Sequence, residues 1–354
     1  MATAARRSAA TTRGGAMSAT MHDVARVAGV SIKTVSNVIN DYQHVRPGTR
    51  EKVRAAIVEL GYRPNMSARN LRRGRTGAIG LAVPELTLAY FAQLADAVIE
   101  HAHARGYVVL IEQTGGGDRS RELEMLRSPR RSFTDGLIFS PLGMENSDAD
   151  LLDIGTPLVL LGERIFHGPV DHVAMDNVGA AAAATAHLLE RGRRRIAVLG
   201  AHAGEEIGSA GLRLVGYRNA LDAAGVPFDP DLVGYVDLWH RANGAEVMDQ
   251  VLARGVELDA VFAMNDELAL GALRRLQQAG HRVPDDVMLI GFDDLDEGRF
   301  SLPSLTSVDP GRAEIARTGV DLLVRRLGGD RGERPQELLT QFRVVEREST
   351  ATGR

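Results

Sequence analysis

Lys33 and Asn37 stand four residues apart in SIKTVSNVIN, so on a helix they lie one turn apart on one face. A lysine ammonium donates to guanine O6 and N7, an asparagine amide pairs with adenine N6 and N7, and Ile32 beside them can touch a thymine methyl group. The hydroxyls around them, Ser31, Thr34 and Ser36 with Thr20 upstream, suit phosphate oxygens, which fix register without reading sequence. An ordinary exposed helix face is the plain alternative. Catalytic chemistry does not assemble elsewhere. Asp293 and Asp294 are chain neighbours at one strand end and so point apart, and Asn265 offers an amide where a facing carboxylate would be needed. His101 and His103, two residues apart, do not share a helix face that could hold a metal. The run Gly115-Gly116-Gly117 lacks the Lys and Ser or Thr of a phosphate loop. No enzyme activity, metal or cofactor is expected.

The helix that presents Lys33 and Asn37 must be held by others. Thr20 is a good N-cap for a helix from Met21 to Ala28, with Val24, Ala25, Val27 and Ala28 at helical spacing. Gly29 stops it. Ser31 caps the second helix, through about Ile39, with Val35, Val38 and Ile39 as its buried stripe, and Asn40 and Asp41 break it. Pro47 opens a third helix, Gly48 to Leu60, ended by Gly61. Helix, short glycine turn and second helix are the parts of a helix-turn-helix.

Charge is distributed to match. The net charge is −4, but residues 20–75 hold eleven Lys and Arg against four Asp and Glu, and residues 76–354 carry −14. A basic module on an acidic body places the polyanion-binding surface on the head. The first 19 residues contain Arg6, Arg7 and Arg13 and no apolar stretch of secretory type, so they read as a disordered tail, with Met17 as an alternative start. No apolar run approaches the ~20 residues that cross a bilayer. The absence of cysteine excludes disulfides and fits a cytoplasmic location.

After Thr76 the pattern becomes apolar strands alternating with amphipathic helices. One series has strands at 78–83, 107–112, 135–140, 157–162 and 172–175 with a helix Phe91 to Arg105. A second has strands at 195–200, 232–237, 260–264 and 287–292 with helices Ala180 to Arg191, Leu212 to Ala224, Gly244 to Arg254 and Glu267 to Ala279. Near-continuous apolar strands between helices imply parallel sheets covered on both faces. The fold class is α/β in two lobes, the first about 77–175 plus a C-terminal part and the second about 176–302. A ligand would sit in the cleft at the carboxyl ends of the strands.

The stretches HDVARVAGVSIKTVSNVIN (22–40) and VRPGTREKVRAAIVELGYRPNMSARNL (45–71) resemble the head of the lactose/galactose repressor (LacI/GalR) family. The similarity extends through DHVAMDNVGAA (171–181), RLVGYRNAL (213–221), VFAMNDELALGAL (261–273), VPDDVMLIGFDDLDEGRFSLPSLTSV (283–308) and VVEREST (344–350). It implies a helix-turn-helix head at 20–62, a hinge at 63–76, and a periplasmic-binding-protein-like domain at 77–354 for effector binding and dimerisation. Ile32, Lys33 and Asn37 match the family's base-reading positions. By the same resemblance the hinge folds where two subunits meet over the minor groove and Leu71 wedges the central base step, with Asn65, Ala68 and Arg69 completing the motif. A solvated linker is the alternative there, although a leucine amid five arginines favours the wedge.

The resemblance also carries over effector-binding positions: Arg213, Asn265 and Asp293. These three types can fork onto vicinal hydroxyls, and Trp239 can stack on a sugar face. Tyr90 and Phe91 match aromatic positions on the first lobe, and Met175 and Asp176 lie where the chain crosses between lobes. Helix capping is the alternative for Asn265 and Asp293, and core burial for Trp239. Gly162 stands where some sugar-responsive relatives have an acid, with Glu163 next to it. The implied protein is a transcriptional regulator, a repressor in sign. Its partners are a palindromic double-stranded DNA operator, a second copy of itself (or a tetramer built from such dimers) and a small-molecule effector. That effector is a sugar, or in the alternative a purine or another metabolite. No membrane partner is expected, and a ligand-binding protein without DNA function is the competing class.

Overall fold

The helical head forms because each of its helices has a start signal and one apolar stripe. The computed structural model describes residues 19–39, 42–62, 75–330 and 332–351, and the chain divides into a head, Met1–Arg75, and a body, Thr76–Arg354. The expected tail at 1–19, apart from its last residue, and the hinge positions Asn65, Ala68, Arg69 and Leu71 lie outside the described residues. In the head, α1 spans Met21–Ala28, α2 Ile32–Ile39 and α3 Pro47–Glu59. Thr20 and Asp23 form a reciprocal capping box: the Asp23 amide donates to Thr20 Oγ1 at 3.3 Å and the Thr20 amide to Asp23 Oδ2 at 3.0 Å. Gly29 takes the left-handed conformation, φ 65°, that turns the chain from α1 into α2. Val24, Ala25, Ala28, Val35, Val38, Val53, Ala56 and Tyr62 make the core. Val27, expected on the buried stripe of α1, is exposed instead, because three apolar positions already cover the narrow seam of an eight-residue helix.

The body opens with β1 (Ala78–Val83), α4 (Ala89–Ala104), β2 (Val108–Gln113), α5 (Arg119–Arg127), β3 (Gly136–Phe139), β4 (Leu158–Leu161) and β5 (Asp171–Met175). It continues with α6 (Asn177–Glu190), β6 (Ile196–Ala201), α7 (Ser209–Ala223), β7 (Val233–Tyr235), α8 (Arg241–Ala253), β8 (Ala260–Ala263) and α9 (Asp266–Gln278). It closes with β9 (Met288–Phe292), α10 (Asp296–Arg299), β10 (Thr306–Asp309), α11 (Arg312–Leu327), β11 (Glu337–Thr340) and β12 (Arg343–Val345).

Two six-stranded sheets result, ordered β2-β1-β3-β4-β5-β11 and β7-β6-β8-β9-β10-β12. Among the described residues all pairings are parallel except β10 with β12. The two orders correspond strand for strand, so the similar layout of the two sequence series is a repeated topology. The chain crosses between lobes after β5, after β10 and between β11 and β12. The second lobe therefore runs past the expected limit at residue 302, taking β10 and β12. α11 returns to pack on the first lobe against α4 and β3 to β5. Gly136 permits that approach: a Cβ there would lie 2.8 Å from Leu323 Cδ1.

Candidate functional site

On α2 the buried residues Val35 and Val38 leave Ile32 and Lys33 outward-facing and Thr34, Ser36 and Asn37 half-buried at the margin. Among the described residues no side-chain hydrogen bond ties Lys33 or Asn37, so both functional groups are available to an external partner. Ser31 and Thr34 are more engaged than the sequence suggests. Ser31 Oγ accepts the Thr34 amide at 3.1 Å and lies 2.9 Å from Thr34 Oγ1. Thr20 Oγ1 likewise donates to Asp23 Oδ2 at 2.7 Å, and those hydrogen bonds hold the Asp23 carboxyl down at about 2. Thr20 and Ser31 thus start their helices, which sets the presentation of the α2 face.

In the body, the two lobes enclose a cavity of about 240 Å³ at the carboxyl ends of the strands. Seven of the eight positions expected to bind an effector line it: Tyr90, Phe91, Met175, Arg213, Trp239, Asn265 and Asp293. Asp176 does not. Its carboxylate accepts the Gly179 amide at 2.9 Å and caps α6, so the crossing residue serves the helix rather than the cavity.

Arg213 is 2 % exposed and fixed on three sides. Its Nε donates to Asn177 Oδ1 at 2.7 Å, its Nη1 to the Met264 carbonyl, and its Nη2 to Met175 Sδ at 3.2 Å. The guanidinium also lies 3.6 Å from the Phe292 ring centroid. Burial lowers its affinity for the proton while the Asp293 and Glu163 carboxylates raise it. Asn265 is the N-cap of α9, its Oδ1 accepting the Leu268 amide at 2.8 Å, and its Nδ2 donates to the Trp239 carbonyl at 3.1 Å. Capping and lining the cavity are one arrangement here, since a cap residue sits at a strand-to-helix turn. Trp239 is half-buried and packs against the apolar core while lining the cavity, and its Nε1 is anchored on the Gly200 carbonyl at 2.8 Å.

Asp293 caps no helix, and no hydrogen bond reaches its carboxylate among the described residues. Burial, opposed by Arg213 and Arg312 and assisted by Glu267 and Glu163, lifts its carboxyl to about 7. Its backbone is unusual as well, with φ 109°, followed by Asp294 at 49°. The Asp293 amide donates to Val308 O at 2.8 Å, Arg312 donates to Asp293 O at 2.7 Å, and the Asp294 amide donates to Ser307 Oγ at 3.1 Å. A conformation that costs of order 1–3 kcal/mol is thereby held by its surroundings. The two aspartates point apart as expected. Asp294 is bound by Arg347 at 2.5 Å and Arg299 at 3.3 Å, and Asp293 lines the cavity.

Sequence reasoning passed over Glu163 as a cavity residue. It is 6 % exposed, lines the cavity, and accepts Ser209 Oγ at 2.8 Å from the opposite lobe. The signal was Gly162, which sits at φ 95°, a conformation that side-chain-bearing residues rarely adopt. The acid expected at that position is displaced by one residue.

Residues 20–65 match the family of bacterial regulatory proteins of lacI type, and residues 185–350 a periplasmic binding protein-like domain. The chain is 37% identical over 339 residues, 93% of its own length and 98% of the relative's, to the HTH-type transcriptional regulator CelR of Thermobifida fusca. A solved structure of a LacI-family regulator from Sanguibacter keddieii is 56% identical, covering 79% of this chain and 100% of that one at a TM-score of 0.73. The CelR–cellobiose complex is 34% identical over 94% of this chain and 99% of its own, at 0.69. The lac repressor dimer bound to operator and an anti-inducer is 27% identical over 95% and 100%, at 0.81.

Proposed function

The chain belongs to the LacI family of bacterial transcriptional regulators, which are not enzymes, and on that premise we propose that it represses transcription from a palindromic operator, as a homodimer released or retained by a neutral sugar. The observation that carries this reading is the pairing of two unsatisfied surfaces in one chain. The α2 face offers Ile32, Lys33 and Asn37, while the body offers a cavity in which Asp293 awaits hydrogen-bond donors and Arg213 stands fixed beside it.

A cavity of this volume lies just below the ~300 Å³ at which drug-sized pockets begin, which suits a mono- or disaccharide. Trp239, Tyr90 and Phe91 supply flat apolar surfaces for sugar faces, and the cellobiose bound in the CelR complex is a ligand of that kind. Dimerisation is supported by exposed apolar side chains: Phe300 and Leu302 are 88 % and 82 % exposed, and β2 is a sheet edge with Val108 and Leu110 outward. A second copy is the partner that would cover them, because two-fold operators mirror two-fold proteins. Effector binding would shift the population between two lobe arrangements and so bias operator affinity, with the protein acting where the DNA is, in the cytoplasm.

Footprinting the full-length protein on the DNA flanking its own gene tests the operator. A two-fold symmetric protected site supports the reading and uniform protection opposes it. A thermal-shift screen of neutral sugars tests the effector, since a ligand at about 100 times its dissociation constant adds about 2.7 kcal/mol.

A further inference from the structure

Glu163 holds an atom that the rest of the protein leaves unused. Its Oε2 accepts Ser209 Oγ across the cleft, but its Oε1 is buried and has no hydrogen-bond partner. Burying a carboxylate oxygen without a donor is costly, so such an atom beside a cavity marks a place where a donor from outside fits. The other acids around the cavity are answered: Glu85 by His240 at 3.1 Å, Glu205 by His202 at 2.8 Å and Arg164 at 3.6 Å, and Glu267 by Arg241 at 2.5 Å. Asp237 stands exposed to water. Two carboxylates therefore remain uncommitted, Glu163 from the first lobe and Asp293 from the second.

Against them stand two cations that the protein already engages: Arg213, whose Nε, Nη1 and Nη2 each donate within the protein, and Arg312, which donates to the Asp293 carbonyl at 2.7 Å. Arg164 is turned to the Ile207 carbonyl and Glu205. An incoming phosphate or carboxylate would meet the buried Glu163 carboxylate, and Asp293 as well once it loses its proton near pH 7, in a low-dielectric cavity where like charges repel far more strongly than in water. A ligand bearing hydroxyls would give each carboxylate the donors it lacks.

We infer that Glu163 sets the charge class of the effector, so that the cleft takes an uncharged polyhydroxylated ligand and excludes its phosphorylated or carboxylated counterparts. This rests on the reading of the cleft as the effector site. Glu163 is also placed to communicate binding. Ser209 and Arg213 are four residues apart on α7, so the hydroxyl that clamps Glu163 and the guanidinium share one helix face. A ligand donor on Oε1 would thus bear on both lobes at once.

The test uses the full-length protein and matched probes: D-glucose, D-glucose 6-phosphate and D-glucuronate; D-ribose and D-ribose 5-phosphate; cellobiose and cellobiose 6′-phosphate. Melting-temperature shifts and calorimetric titrations are measured for wild type and Glu163→Gln. At least one neutral sugar should bind wild type and each of its charged counterparts should bind at least tenfold more weakly. Glu163→Gln should weaken the neutral sugar by about ten- to a hundredfold and narrow that gap. A charged counterpart binding wild type as tightly as its parent overturns the inference, and does so without any variant. Unchanged affinities and an unchanged gap in a folded Glu163→Gln overturn the role of Glu163 while leaving the cleft a sugar site. Silence of wild type towards every probe would overturn the sugar reading itself, and this inference with it.

Discussion

The Arg213 guanidinium stacks 3.6 Å from the centroid of the Phe292 ring, directly before Asp293 in the chain. The stack and the bonds to Asn177 and Met264 fix the fork in one orientation before any ligand arrives. Arg213→Lys retains the charge but loses the planar stack and the fork. It should lower the body's unfolding free energy by about 1–3 kcal/mol and weaken effector binding by more than tenfold. Urea denaturation and calorimetry check the two separately. An effect on neither would remove Arg213 from both core and site.

Lys33→Ala and Asn37→Ala should each cost specific operator affinity on the order of 1–3 kcal/mol while leaving binding to unrelated DNA nearly intact. Fluorescence anisotropy on operator and scrambled duplexes measures both. Equal losses on the two DNAs would reassign the side chain to phosphate contact.

The raised carboxyl of Asp293 makes a signed pH prediction. Its value is about 7 in the folded protein against 3.8 ordinarily. Between these, the folded chain binds more protons than the unfolded chain, so this group removes stability as pH rises and the full penalty is reached above about 7. Asp293→Asn lacks the penalty. The variant's unfolding free energy relative to wild type should therefore be higher at pH 8 than at pH 4, by on the order of 1–4 kcal/mol. Urea titrations at the two values decide it, and a difference that does not change with pH would contradict the assignment.

Phe300 and Leu302 give the dimer a direct check. Replacing both with Asp should convert a dimer into a monomer in sedimentation velocity at micromolar concentration, because charged groups would then be buried at the interface. A wild-type dimer that the double variant leaves intact places the interface elsewhere.

Local signals made much of this protein legible. The α2 face could be read because Val35 and Val38 define its buried side within eight residues, and the strand-end positions of Arg213, Asn265 and Asp293 followed from the alternating pattern and the resemblance. Long-range placement was not legible. A C-terminal return to the first lobe was expected, but its elements, α11 and β11, were not placed because their partners lie in a sheet begun more than a hundred residues earlier, and β10 and β12 went unread beyond the expected limit of the second lobe. Asp176 was misplaced because a capping bond to Gly179 is decided by side-chain rotation rather than by position. Glu163 was passed over because its role depends on the left-handed backbone of Gly162 and on Ser209 from the other lobe.

The central claim is that the α2 face and the cleft are coupled. Titrating a neutral sugar that binds the free protein into a preformed complex with labelled operator tests it most directly, with Asp293→Asn alongside. The expected result is a change in operator affinity of at least fivefold at saturation, matched by the same factor in sugar affinity when operator is bound. In Asp293→Asn the midpoint should move about ten to a hundred times higher, as the loss of one bond to a charged group dictates. A sugar that saturates the protein while operator affinity stays the same would contradict the account.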